Sequence, residues 1–87
     1  MPEQTSLELI RKTSNSPLTS RQTQCLYWAS IGKTSREMGQ ILTISESTAN
    51  YHVREACTKL GVHSRQAGIV KAMSAGYLPH YNSKITD

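Results

Sequence analysis

The stretch that decides the fold is ISESTANYHVREACTKLGV, residues 44–62. Ser45 followed by an acidic residue is a typical helix start, and Gly61 is the residue type that commonly ends a helix. At 100° per residue, one side of the intervening helix carries an apolar stripe. The stripe consists of Ala49, Val53, Ala56 and Leu60. The sequence therefore predicts a helix over residues 45–60 with one buried side.

The opposite side of this helix is polar. Ser47, Asn50, Tyr51, Arg54 and Thr58 fall within an arc of about 100°. A helix surface that serves only solubility tends to carry Glu and Lys in pairs four residues apart, and this arc lacks them. Asn and Arg are side chains that hydrogen-bond to base edges in the DNA major groove. The arc is therefore a candidate DNA-reading surface.

Three more helices can be placed around this one. Two capping-box patterns, Thr19 with Gln22 and Thr34 with Glu37, predict helices that end near Gly32 and Leu42. A fourth helix is expected from Ser64 to near Gly76, and no stretch reads convincingly as a strand. The side chains expected to face inward are Gln22, Cys25, Leu26 and Ala29 in the first helix and Met38, Ile41 and Leu42 in the second, and the apolar residues of the fourth are Ala67, Val70, Ala72 and Met73. The predicted fold class is all-α.

Gly39 lies inside the second predicted helix, where glycine is about 1 kcal/mol less favourable than alanine. Its missing side chain is expected to let another helix approach closely.

Composition limits the function without deciding it. The chain has 87 residues, enough for one small domain, with a net charge of +4 and a pI near 9.3. Residues 33–71 hold six Lys or Arg against three Glu, an excess of three positive charges that permits an anionic partner. No run approaches the ~20 apolar residues of a membrane span, and no signal peptide is visible, so a cytoplasmic protein with no membrane contact is expected.

Catalysis and metal binding find no support in the sequence. No nucleophile–base pair or phosphate-binding loop is visible, and no cofactor is expected. Cys57 and His52 diverge by about 140° on the predicted helix, which rules them out as joint metal ligands. Cys25 and Cys57 are expected to be buried thiols.

Four segments closely resemble, in order and spacing, the helix-turn-helix domain of quorum-sensing (LuxR/GerE-type) bacterial transcription regulators. They are LTSRQTQCL, GKTSREMGQIL, ISESTANYHV and KLGVHSRQAGIVKA, and together they cover about residues 18–78. The resemblance implies a four-helix bundle of the winged-helix-like superfamily without the wing. It implies a scaffold helix at residues 34–42, a recognition helix at residues 45–60, and double-stranded DNA bound as a homodimer. RNA polymerase or a full-length LuxR-type regulator would be a further partner.

The resemblance also assigns roles to individual residues. The positions that would face bases are Asn50, Tyr51 and Arg54. The positions near the DNA backbone are Thr34, Ser45, Ser47, Thr48, Lys59 and Arg65. The fourth helix resembles the pairing element of such domains, and its apolar stripe at i, i+3 and i+7 is the candidate dimer interface, formed by Val70, Met73 and Tyr77.

The sequence departs from the family pattern in composition and in length. Gln22 and Gln24 stand where two glutamates are usual, which removes partners for nearby basic residues, and Ala49 replaces a bulkier residue. Full regulators carry a signal-binding or receiver domain ahead of this one, which the polar residues 1–16 cannot supply. We expect a flexible arm or linker remnant over residues 1–16, the domain over 17–80 and a tail over 81–87.

The chain is then either a fragment or a stand-alone regulator without a sensor. An alternative function follows from the second possibility. A sensor-less module that keeps the pairing helix would heterodimerise with a full-length LuxR-type regulator and inhibit it.

Overall fold

A computed structural model describes residues 16–78, and this part of the chain contains four helices and no strand. The helices are α1 (Ser20–Ser30), α2 (Ser35–Leu42), α3 (Glu46–Leu60) and α4 (Arg65–Ser74). The all-α prediction is confirmed. The arm predicted over 1–16, of which only residue 16 is described, and the tail predicted over 81–87 lie outside the described residues. Among the four helices, none has the length and hydropathy needed to cross a bilayer.

Each helix starts at a Ser or Thr cap, and both predicted capping boxes are confirmed. The Thr19 hydroxyl accepts the N–H of Gln22 at 3.1 Å, and the Gln22 side chain accepts the N–H of Thr19 at 3.0 Å. Thr34 and Glu37 make the same reciprocal pair at 3.1 and 2.9 Å. These caps matter most for α2, because eight residues are too few for a helix to be stable in water without tertiary support.

The core is built around α3, which packs against all three other helices. The predicted buried stripe of α3 is confirmed, and Cys57 joins it. Burial of these residues fixes how α3 is rotated about its own axis, so its polar side faces outward. The buried apolar residues are Cys25, Leu26, Ala29, Met38, Ala49, Val53, Ala56, Cys57, Leu60, Ile69, Ala72 and Leu78.

The predicted inner side of α2 was wrong at Ile41, which is 42% exposed. In α4, Val70 is 57% exposed and Ala67 is exposed as well, and the buried side carries Gly68, Ile69 and Ala72. The physical reason is close packing: a Cβ at residue 68 would lie 2.7 Å from the Cys57 sulfur, so the glycine side is the one that fits against α3. A count of apolar residues overlooks a glycine used in this way.

The turn between α2 and α3 packs tightly on α2. A Cβ at Gly39 would lie 2.5 Å from the carbonyl oxygen of Ile44 and 3.4 Å from the backbone nitrogen of Glu46. The close approach predicted at Gly39 is confirmed, although the approaching atoms belong mainly to the turn. Thr43 ends α2 in the left-handed conformation, with φ 60°. Together these features set the angle at which α3 leaves α2.

Candidate nucleic-acid interface

The exposed side of α3 presents three different polar groups. The amide of Asn50, the phenol of Tyr51 and the guanidinium of Arg54 belong to exposed residues, with Tyr51 49% exposed. Because the other side of α3 forms the core, these side chains stand on a helix whose position is fixed by packing. We call these three residues the reading arc.

A hydrogen-bond network ties one member of the reading arc to two other helices. Ser35, at the start of α2, is buried and donates its hydroxyl hydrogen to Oδ1 of Asn50. Arg65, at the start of α4, donates from Nη2 to Oγ of Ser35 at 2.5 Å and to Oδ1 of Asn50 at 3.3 Å. The network therefore joins residues that are 15 and 30 positions apart in the chain.

The chemistry of arginine fixes which way the Asn50 amide points. A guanidinium carries only donors, so the Asn50 atom that faces Arg65 must be the acceptor oxygen. Oδ1 thus accepts two hydrogen bonds, from Ser35 and from Arg65. The Nδ2 amide group points away from these two partners and keeps its donors available.

The start of α3 carries a cluster of hydroxyls. Ser45 caps the helix by accepting the N–H of Thr48 at 3.0 Å, and it donates to the Thr48 hydroxyl at 2.8 Å. The hydroxyl of Ser47 lies 3.3 Å from that of Ser45, and Ser47 is exposed. Hydroxyls beside a helix N-terminus are suited to anions because of the free amides and the positive end of the helix dipole.

Lys59 lies apart from the reading arc. It follows Arg54 by five positions, which puts the two side chains about 140° apart around α3. Its amine donates to the carbonyl oxygen of Pro17 at 3.1 Å, across 42 residues of sequence. The amine thereby anchors the segment before α1, and a phosphate contact by Lys59 stays a prediction.

A shallow open depression of about 380 Å³ adjoins the reading arc. Among the described residues, its lining includes Arg54 and Arg65 and no acidic side chain. The hydroxyl of Thr58 donates to the backbone carbonyl of Arg54 at 3.1 Å, so this member of the predicted polar arc bonds to its own helix. The residues that line the depression are Asn50, Val53, Arg54, Cys57, Thr58, Val62, His63 and Arg65.

The two cysteines behave as the sequence predicts. Both thiols are buried, and burial raises the pKa of each above its ordinary value, against a smaller opposing effect of nearby arginines. Within residues 16–78, no three His, Cys, Asp or Glu side chains come together as metal ligands would.

The candidate dimer stripe is only partly free. Val70 is exposed, but Met73 and Tyr77 are half-buried and pack against the core. An open, mostly apolar depression beside Val70 is lined by Val62, Ala67, Lys71, Ser74 and Ala75 as well. Val70 and Ala67 of α4, with Ala75 directly after it, therefore form an accessible apolar surface, which we call the α4 patch.

Sequence reasoning missed Ser35. Ser35 directly follows the cap Thr34, and in the sequence alone it is indistinguishable from an ordinary first-turn serine. Its burial was the one property that would have identified it, and burial depends on partners far along the chain.

Comparison with known proteins agrees with this architecture. Residues 16–72 match the family described as "Bacterial regulatory proteins, luxR family". "Transcriptional activator protein AhyR" of Aeromonas hydrophila is 49% identical over 61 residues, which cover 70% of this chain and 24% of the relative. "Transcriptional activator protein VanR" of Vibrio anguillarum is 44% identical over 64 residues, covering 74% and 27%.

"Transcriptional activator protein LuxR" of Aliivibrio fischeri is 41% identical over 70 residues, covering 80% of this chain and 28% of the relative. The chain thus spans only 24%, 27% and 28% of the length of these three relatives. The family match takes in all of α1, α2 and α3 and most of α4. This chain belongs to the luxR family of bacterial regulatory proteins.

Proposed function

We propose that this chain is a sequence-specific DNA-binding transcription regulator, or the DNA-binding part of one, with α3 in the major groove. The observation that carries the proposal is the reading arc: amide, phenol and guanidinium groups exposed together on one helix whose opposite side is core. Family membership supports it, since the relatives above are named as transcriptional activators.

The reading arc suits base recognition chemically. The major groove admits an α-helix, and each base pair presents a distinct set of donors, acceptors and methyl groups there. The Arg54 guanidinium can donate two hydrogen bonds to guanine O6 and N7. Asn50 adds amide donors beside it, and the exposed ring of Tyr51 adds apolar contact area next to a polar hydroxyl.

We propose that residues around the reading arc contact the DNA backbone. The hydroxyl cluster at the start of α3 and the capped start of α2 offer phosphates two kinds of donor: hydroxyls on short side chains and free helix amides. Such contacts fix the register of the protein on DNA and carry no base information. The proposed backbone contacts are Thr34, Ser45, Ser47, Thr48, Lys59 and Arg65.

Pairing through α4 completes the proposal. The α4 patch is the accessible apolar surface of this helix, and Val70 is its most exposed large side chain. Two domains joined there would occupy two half-sites whose centres lie about one helical turn, ~10 base pairs, apart. The patch is small, so we propose pairing at least when both domains are bound to DNA.

The same patch supports a second candidate function. A chain that pairs through the α4 patch with a full-length luxR-family regulator would inhibit that regulator by forming a heterodimer. Analytical ultracentrifugation of an equimolar mixture separates the two functions. A heterodimer that has lost operator binding favours the inhibitor, and unchanged homodimers that bind DNA favour the regulator.

A binding-site selection at one fixed salt concentration tests the regulator directly, because affinity for DNA depends strongly on salt. We expect enrichment of a defined sequence. The triple variant Asn50→Ala/Tyr51→Ala/Arg54→Ala should lose the enrichment while it keeps its helix content. Arg21→Ala removes the same charge from α1, outside the reading arc and the α4 patch, and should retain the enriched sequence. A folded wild-type chain that enriches no sequence would overturn the proposal.

A further inference from the structure

The network of Ser35, Asn50 and Arg65 bears on which base the protein reads. Asn50 is the member of the reading arc whose side chain is already hydrogen-bonded within the protein. Both bonds end on its oxygen, and an amide oxygen has two acceptor lone pairs. In the folded protein both lone pairs are therefore in use before DNA arrives.

We infer that Asn50 reads its base pair as a donor only and selects a keto base, guanine or thymine, in place of adenine. This inference rests on the proposed function, since it names what that same surface recognises. Ser35 and Arg65 are then positioning residues: they touch no base in this role and act by holding the Asn50 amide in one orientation.

The selection follows from the groove edges of the four bases. Asparagine usually pairs with adenine through two bonds, with Oδ1 accepting from N6 and Nδ2 donating to N7. With Oδ1 occupied, the bond from adenine N6 cannot form, and the N6 donor then lies next to other donors. Cytosine also presents a donor, N4. Guanine offers the acceptors O6 and N7, and thymine offers O4, so either one satisfies an outward Nδ2 group.

Two features make the orientation hard to reverse. Ser35 is buried with 6% of its surface exposed, so releasing its hydroxyl from Asn50 would leave a polar group without water to replace the bond. Turning the amide over would also point Nδ2 at Arg65, placing donor against donor. Arg65 uses only Nη2 in the network, which leaves its other donors free for the backbone contact proposed above.

The test is a base-resolved affinity series on the site enriched by the full 87-residue chain. Asn50→Ala identifies the position that Asn50 reads, because discrimination there should disappear. Every base pair holds one keto base, so the strand that Asn50 contacts is identified first, by removing single groove-edge atoms on each strand and finding the atom whose loss abolishes the difference between wild type and Asn50→Ala. That atom should be guanine O6 or N7 or thymine O4, and adenine placed on that strand should bind about fivefold or more weakly. This comparison uses no change in the network and stands by itself.

The double variant Ser35→Ala/Arg65→Ala releases Oδ1 and tests the positioning role. Its circular dichroism and melting are checked first, and the single variants serve if the double variant unfolds. We expect the penalty for adenine to fall at least about threefold, whereas Arg21→Ala, which removes a charge on α1 outside the network, should leave the penalty unchanged. A purely structural role would weaken every sequence equally and leave base preference unaltered.

Three results would overturn the inference while the proposed function stands. The first is adenine on the contacted strand at the Asn50-dependent position, and the second is a full penalty for adenine in the folded Ser35→Ala/Arg65→Ala variant. The third is a specific site with no position that depends on Asn50. Absence of any enriched sequence would instead remove the proposed function, and the two failures are therefore distinguishable.

Discussion

Replacement of Gly39 by alanine sets two effects of opposite sign against each other. Alanine is the better helix former by about 1 kcal/mol, so helix propensity alone predicts stabilisation. The new Cβ would lie 2.5 Å from the carbonyl oxygen of Ile44, whereas an ordinary carbon–oxygen contact is about 3.3 Å or longer. The turn would have to move by about 0.8 Å. Because the blocking atoms are backbone, no side-chain rotation can relieve the contact.

The destabilisation caused by the clash should exceed the stabilisation gained from the higher helix propensity of alanine. Overpacking costs about 1–3 kcal/mol, and a rigid backbone neighbour favours the upper half of that range. After subtraction of the propensity gain, we expect Gly39→Ala to lower the free energy of unfolding by about 1–2 kcal/mol. For a domain of this size, each kcal/mol corresponds to a fall in Tm of about 4–8 °C.

Thermal and urea unfolding followed by circular dichroism measure this change. Gln40→Ala is the matched control, because Gln40 is the next residue of α2 and is exposed. Its substitution should change stability by less than about 0.5 kcal/mol. If Gly39→Ala equals or exceeds the wild type in stability, the close packing of α2 against the turn is refuted, and with it our account of how α3 is aimed.

Three further perturbations follow from the structure. Thr43→Gly should raise the free energy of unfolding by about 1 kcal/mol, because a β-branched residue holds φ 60° at the end of α2; urea unfolding that shows no gain would contradict the strain. The hydrogen bond from the Thr34 backbone amide, with Lys33 nearby, lowers the pKa of Glu37, so its stabilisation is present above the unfolded value near 4.5 and is lost as pH falls through the lower folded value. The amide resonance of Thr34 should therefore titrate below pH 4.5. This titration should be absent in the Glu37→Gln variant. It should also be absent from the amide of Thr19, whose capping box uses the neutral Gln22. Val70→Asp should leave Tm near that of the wild type yet abolish cooperative occupancy of two half-sites, whereas Met73→Asp should also lower Tm because Met73 packs on the core; unchanged cooperativity in folded Val70→Asp would place the dimer contact elsewhere.

Local signals explain what the sequence could predict. Capping boxes span three residues, and a glycine end marker acts on the last turn of its own helix, so all four helices were placed within about two residues of their observed ends. The buried stripe of α3 was equally predictable, because a helix of fifteen residues repeats the 3.6-residue period over several turns.

Contacts between distant residues explain the rest. The burial of Ser35 depends on partners 15 and 30 residues away, and the bond from Lys59 to Pro17 spans 42 residues. Periodicity within one helix contains neither piece of information. The buried side of α4 could not be predicted for a related reason: its contact with α3 passes through Gly68, which has no side chain to contribute to an apolar pattern.

The central claim is that the exposed side of α3 reads bases, and the specificity profiles of Arg54→Ala and Lys59→Ala at a stated salt concentration test it most directly. Both variants must first retain wild-type helix content and melting. Arg54→Ala should weaken the enriched site by about 1–3 kcal/mol and make one base position permissive. Lys59→Ala, about 140° away around α3, should weaken all sequences equally and lower the salt slope of log K by about one per subunit. If Arg54→Ala instead weakens every sequence equally and leaves base preference unchanged, the reading arc does not read DNA.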